Sequence, residues 1–358
     1  MQRNKLMILF VILMVVFIIL ISLSIVIVAT PVSNFWANKI TQIDKLHELG
    51  FDGTGVTIGI VDTGVSIDHQ DFDSSSFIAW IDTINHYQQY YDDEDHGTHI
   101  SGILASKDSL QGIFSGIKIK GIADKADFVI AKSIPQNQYI FKGGNNSTIE
   151  TGIQFCIDNE VDIILLSMGL GPDFLDFNEN SKTIEIIDHA IELGIFVVVP
   201  AGNDGQNDDG DVCFPATLEN VISVGAISKV NAILSFSSKG HQYPDTQHPN
   251  KKPELMDPGD GIISTRVNGS YGEISGTSQA AAYVAGIIAL LLDAYPEYKH
   301  DGIKNFNVTT IKLFKEIFAI TAKKIGNLIN NDNEWSHDDL YGYGLIQAYD
   351  AYKELAKY

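Results

Sequence analysis

Hydrophobic positions along the chain change their spacing within the first 60 residues. Leu6 to Ala29 is a block of 24 positions without a charge. As a helix it is apolar on every face and about 36 Å long, enough to cross a bilayer core of about 30 Å. From about Gln42 onward the pattern is different. Short β-branched runs at Val56–Val61, Asp127–Ala131, Val161–Ser167, Ile195–Pro200 and Val221–Gly225 alternate with longer helical patterns. Those lie at His96–Ser106, Ser147–Asn159, Ser181–Leu193, Ser278–Ala294 and Thr309–Ile325. Fully apolar runs such as VDIILLS and IFVVVP suit a parallel sheet covered on both faces. The alternation predicts an α/β fold, three-layer α/β/α with a mostly parallel sheet. Polar stretches at 201–212, 239–254 and 327–339 read as surface loops inside one domain.

Charge gives the block a direction. Arg3 and Lys5 precede it and the next charge is Lys39, so the positive-inside tendency places the N-terminus in the cytoplasm. The expected organisation is a cytoplasmic tail (1–5), a transmembrane anchor in the lipid bilayer (6–29), a linker (30–41) and an extracytoplasmic domain (42–358). A cleaved signal peptide, which would leave the domain secreted, is the rival reading. Its cleavage site is poor, because Ala29-Thr30 runs into Pro31.

The 358 residues carry a net charge of −21, from 45 acidic and 24 basic side chains. Setting aside Arg3 and Lys5 leaves 22 basic against 45 acidic residues, or −23. Nucleic acid is therefore a poor partner, since phosphate binding needs clustered Lys and Arg. A solvated acidic surface is the simplest account of the balance. Two cysteines, Cys156 and Cys213, form neither a disulfide framework nor a CxxC metal spacing.

Three short motifs fall where such a sheet presents its ligand-binding edge. Val56-Thr-Ile-Gly-Ile-Val-Asp62-Thr-Gly64 is a strand ending in a carboxylate, costly there unless paired. Asp95-His96-Gly-Thr-His99-Ile-Ser-Gly102 places His96 at a helix start and His99 one turn on. Zinc is a weak alternative, because HEXXH with its glutamate base is absent. Ser275-Gly-Thr-Ser278-Gln-Ala-Ala-Ala puts Ser278 in the first turn of a small-residue helix, where backbone amides favour negative charge. Taken singly, the three read as a turn aspartate, a packing histidine and a capping serine.

Together and in this order, the VDTG, HGTH and GTS-A boxes resemble the subtilisin-like serine proteases (subtilases, peptidase family S8). The resemblance runs from about Gln42 to Gly342-Tyr-Gly-Leu-Ile-Gln-Ala348. It implies a serine endopeptidase acting on protein or peptide substrates, with Asp62, His96 and Ser278 as catalytic triad and no cofactor in the chemistry. Val199-Pro-Ala-Gly-Asn203-Asp-Gly205 resembles the family's oxyanion-hole segment, with Asn203 as donor. Ser167, Met168 and Gly169 resemble its substrate-edge strand. Asp71, nine residues after Asp62, matches by spacing a calcium ligand of many subtilases, so structural calcium is an expectation of the resemblance.

The chain departs from the family pattern in places. Gln279, Ala282 and Tyr283 stand where the family has Met, Pro and His, Ser275 where it has Asn, and Asp257-Pro258-Gly259 where it has Ala-Pro-Gly. Only Thr30 to about Thr41 separates the apolar block from the resemblance, so activity without cleavage of a prosegment in cis is expected. The acids Asp92, Asp93, Glu94 and Asp95 run into His96 and lead to the expectation of a basic side chain at the neighbouring subsite. A catalytically silent module of the same fold is the alternative reading, although Asp62, His96, Ser278 and Asn203 all remain. A nucleotide-binding enzyme would need GxGxxG after the first strand, which is absent.

Overall fold

A computed structural model describes residues 7, 9–19, 33–107, 116–135, 146–167, 181–206, 210–240, 247–304, 307–329 and 333–358. Within the apolar block it describes Met7 and a helix, α1 (Leu9–Ile19), whose large side chains are exposed. That helix is about 16 Å long, half a bilayer core. The rest of the block lies outside the described residues.

Seven parallel strands form the main sheet: β1 (Thr57–Asp62), β2 (Phe77–Asp82), β3 (Asp127–Lys132), β4 (Ile163–Leu166), β5 (Phe196–Pro200), β6 (Ile222–Ile227) and β7 (Leu255–Pro258). Their order is β2-β3-β1-β4-β5-β6-β7. Every residue of β4 to β7 is buried, as expected for runs with no polar alternation. The order reverses at β1, which pairs β3 on one side and β4 on the other. Such a switch point opens a crevice at the C-terminal end of the strand, where Asp62 stands.

Helices cover both faces. α4 (His96–Ala105) and α7 (Thr277–Ala294) pack together, α4 against β1 and α7 against β4 to β7. α5 (Asn146–Asp158) and α6 (Lys182–Glu192) pack together over β1, β3 and β5. α8 (Val308–Thr321) and α9 (Ala348–Leu355) close one flank. α7 is long and apolar enough to span a membrane, yet 89% of it is buried inside the domain. It is the central core helix. An antiparallel hairpin, β8 (Ile262–Thr265) with β9 (Tyr271–Ile274), lies along α4.

The stretch expected to be a linker is partly structured. It contains α2 (Phe35–Ile40), followed by α3 (Ile43–Glu48), and Ala37 is fully buried. Asn34 ties it down through both amide atoms, accepting from the Ile263 N–H (3.0 Å) and donating to Ile263 O (2.6 Å).

Candidate active site

β1 delivers Asp62, fully buried, to the end of the sheet. The chain then turns at Gly64, whose φ of +113° belongs to the left-handed side favoured by glycine. A Cβ at Gly64 would run into Tyr91 O. A Cβ at Gly97, in the first turn of α4, would run into Gly64 O and reach 3.2 Å from Asp62 Oδ1. These two glycines let the helix start close upon the strand end. As a result His96 Nδ1 lies 2.8 Å and 3.0 Å from the two Asp62 oxygens. The Thr63 N–H donates to Asp62 Oδ1 as well, at 2.6 Å. A carboxylate partner fixes the proton on Nδ1 and leaves Nε2 with its lone pair.

Asp92 locks this arrangement. Its Oδ1 accepts from Thr63 Oγ1 (2.9 Å) and from the N–H groups of Glu94 and Asp95 (3.0 and 3.1 Å). Its Oδ2 accepts from the Thr98 N–H (2.8 Å) and Thr98 Oγ1 (2.6 Å). Thr63 Oγ1 in turn accepts from the Gly97 N–H at 2.9 Å. Strand end, loop and helix start thus share one hydrogen-bond network. Burial, the largest single effect on His96, pulls its pKa down. The charge and hydrogen bond of Asp62 and the charge of Asp92 outweigh it, against a lowering by Arg266, and the net direction is upward from 6.5.

α7 brings the second half. Ser278 is 8% exposed in its first turn, and its side chain has no hydrogen-bond partner among the described residues. Asn203 follows β5 and is exposed. Its Oδ1 accepts from the Thr277 N–H and from Thr277 Oγ1, both at 3.0 Å. A backbone N–H requires an acceptor, so the amide orientation is set and Nδ2 is left to donate elsewhere. Nδ2 of Asn203 and the backbone N of Ser278 both face the bare side of Gly276, at 3.7 and 3.8 Å from where its Cβ would be. The atom nearest that point is Gln279 Oε1, at 2.7 Å.

Known proteins are similar to this chain in sequence. The model of the subtilase family matches residues 53–344. The chain is 30% identical to subtilisin E of Bacillus subtilis over 74% of its length and 63% of that protein. It is also 30% identical to serine protease AprX of Bacillus subtilis, over 83% of this chain and 66% of AprX. With subtilisin DY of Bacillus licheniformis the identity is 29%, over 74% of this chain and 87% of the relative. The chain belongs to the subtilase family. It spans slightly less than two thirds of subtilisin E and of AprX.

Other residues singled out in this subtilase separate into used and unused. His99 is fully buried, and its Nε2 lies 3.0 Å from Ile262 O and 3.2 Å from Gly272 O. Burial, helped by the neighbouring His96, lowers its pKa to about 3. It is a neutral packing histidine that ties α4 to the hairpin. Ser167 follows β4, and its buried hydroxyl has no hydrogen-bond partner among the described residues. Met168 and Gly169 lie outside the described residues. Cys156 and Cys213 are buried and not joined by a disulfide, and burial pushes Cys156 up to about 12.

Asp71 is 1% exposed and accepts from Tyr271 Oη at 2.8 Å. Subtilases often bind structural calcium, and calcium takes six to eight oxygens. Residues 108–115, which follow α4, lie outside the described residues, and a single carboxylate engaged by a tyrosine does not make that donor set. Among the described residues, Asp71 is not part of a group of three or more candidate metal ligands. One described cluster, Asp162, His300 and Asp301, has the spacing for a metal. However, Asp162 already holds the Thr57 N–H (3.0 Å) and His300 Nδ1 (2.9 Å).

The expectation that the acidic run attracts a basic substrate side chain needs correction. Asp92 is consumed by the loop, Asp93 pairs with the buried Lys132, and Asp95 pairs with Arg266. Three of the four carboxylates serve the fold. The clamping roles of Thr63, Asp92 and Thr277 were not visible from spacing, although each lies inside or beside a box that was.

Proposed function

We propose that this subtilase is a serine endopeptidase that hydrolyses peptide bonds through an acyl-enzyme on Ser278. Ser278 Oγ attacks the peptide carbonyl carbon while His96 Nε2 takes its proton, because the hydroxyl alone is barely nucleophilic near neutral pH. Asp62 keeps His96 in the required tautomer and stabilises its charged form without taking the proton. The oxyanion is received by Asn203 Nδ2 and the Ser278 N–H. The tetrahedral species collapses, the C–N bond breaks, and His96 returns the proton to the leaving amine. Water then hydrolyses the ester by the same route. His96 and Ser278 are not hydrogen-bonded here, and such bonds often tighten only with substrate bound. An extended peptide would pair with Ser167, Met168 and Gly169, the stretch whose sequence resembles the family's substrate-edge strand.

The observation that carries this reading is the pairing of His96 Nδ1 with both oxygens of the fully buried Asp62, at 2.8 and 3.0 Å. Hydrolysis of an unfolded protein substrate by the full-length chain, lost in Ser278→Ala, is the expected result. Equal hydrolysis by both would refute it. The raised His96 pKa adds a sign: the base must be neutral, so the acid limb of kcat/KM should lie above 6.5.

Residues 6–29 are proposed as an uncleaved anchor that leaves the catalytic domain outside the membrane. The uncharged block and the preceding Arg3 and Lys5 support this. Retention in the membrane after alkaline carbonate washing is expected, and release into the supernatant would contradict it.

A further inference from the structure

The start of α4 is held from a second side. Four consecutive residues leaving β8 bond it: Ser264 Oγ donates to His99 O (2.7 Å) and Thr265 Oγ1 to Thr98 O (2.9 Å). Arg266 Nη2 then donates to Asp95 Oδ2 (2.8 Å) and the Val267 N–H to Asp95 Oδ1 (2.7 Å). The first two contacts are buried. The last pair lies at the rim, with the Arg266 and Asp95 side chains 29% and 23% exposed. The Arg266 stem crosses the bare face of Gly272, where a Cβ would come within 3.4 Å of Arg266 Cγ and Cδ. A side chain at that position would press on the arginine, which would have to shift by a few tenths of an ångström.

Asp95 has a φ of +68°, in the left-handed region. A non-glycine residue stays there only where its surroundings enforce it. The enforcement is visible, because each carboxylate oxygen meets one donor from the hairpin. The next residue is His96.

We propose that the Asp95–Arg266 pair is a positioning device for His96: it fixes the left-handed residue that starts α4 and so keeps the imidazole on Asp62. The proposal rests on reading His96 as the general base. The pair acts through His96 and not through a contact with substrate. The charged and titratable groups around His96 are Asp62 at the end of β1, Asp92 and Asp95 in the loop, His99 on α4 and Arg266 on the hairpin. Asp62 and Asp92 favour the imidazolium and Arg266 disfavours it, while His99 is neutral. Burial raises the Asp95 pKa, but Arg266 and the Val267 N–H outweigh it and hold the carboxyl below its ordinary value.

Removing one partner leaves the other charge beside His96, so the two single variants should shift it in opposite directions. In the full-length chain, Arg266→Gln should move the acid limb of kcat/KM up by roughly 0.3–1 pH unit, and Asp95→Asn should move it down. Each should lower kcat by about 3–30-fold with KM little changed, as expected when a base is displaced by a fraction of an ångström. Arg266→Lys keeps the charge and loses the fork, so its acid limb should stay at the parent position while kcat falls. A His96 imidazole titration by NMR should show the same opposite shifts whether or not the protein turns over. A parent that neither hydrolyses peptide nor reacts with a fluorophosphonate would overturn the protease reading, and the NMR shifts would still judge the pair. Coincident acid limbs and imidazole titrations in all variants, with only thermal stability changed, would overturn the proposal. Shifts of the same sign in Arg266→Gln and Asp95→Asn would do so too.

Discussion

Two aspartates stand fully buried near the C-terminal ends of strands in the same sheet, Asp62 on β1 and Asp257 on β7. Their surroundings differ completely. Asp62 meets the His96 ring through both oxygens and the Thr63 N–H through one. Neither oxygen of Asp257 has a hydrogen-bond partner among the described residues. Burial alone drives the Asp257 carboxyl well above its usual range. The nearby Tyr283 is driven upward as well, first by burial and then by Asp257. Both positions are departures from the family pattern, which has Ala and His there. The contrast shows that burial at a strand end does not by itself bring a carboxylate hydrogen-bond donors. The glycine-permitted approach of α4 supplies Asp62 with donors, and nothing comparable serves Asp257.

The largest test of that contrast is Asp62→Asn. It should lower kcat by about 10⁴, as expected when the histidine is held in the wrong tautomer. Activity within tenfold of the parent would remove Asp62 from the triad. Next, Asn203→Leu should cost about 10²–10³ in kcat with KM unchanged, the magnitude measured for this donor in subtilisin, a relative in the same family. A change confined to KM would show that Asn203 binds substrate uniformly instead. Gly97→Ala tests why Asp62 is served at all. Forcing a Cβ against Gly64 O should cost roughly 2–4 kcal/mol in chemical denaturation and reduce activity with it. A fully stable variant would mean that the approach of α4 needs no glycine.

Asp257→Ala should have the smallest effect, and the opposite sign. The folded state keeps a proton on Asp257 that the unfolded chain releases above a pKa of about 3.9. The contribution of Asp257 to stability is therefore fully present below that value and is lost as pH rises toward the folded pKa. Replacement should raise Tm by a few degrees at pH 8, less at pH 5, and leave kcat within about twofold. A larger gain at pH 5 would contradict the protonated state.

Much of the site was legible because its chemistry sits in short local boxes. Asp62, His96, Ser278 and Asn203 each terminate or begin a strongly patterned element. β1 itself is displaced by one residue from the run expected at Val56–Val61, so that Asp62 is its last residue. What supports those groups was not legible. Arg266 reaches Asp95 across 171 positions, and Asn203 reaches Thr277 across 74. No periodicity records such pairs. The edge strand β2 was missed because it mixes buried Phe77 with Ile78 at 52% exposure. Two apolar helices differ in character: α7 is buried core, while the side chains of α1 are exposed.

The central claim is that Ser278 is a nucleophile activated by the His96–Asp62 pair. The most direct measurement is peptide mapping after exposure of the full-length chain to a fluorophosphonate. The account predicts one adduct on Ser278, absent in Ser278→Ala and formed far more slowly in Asp62→Asn. Unmodified Ser278, or labelling at the parent rate in Asp62→Asn, would contradict it.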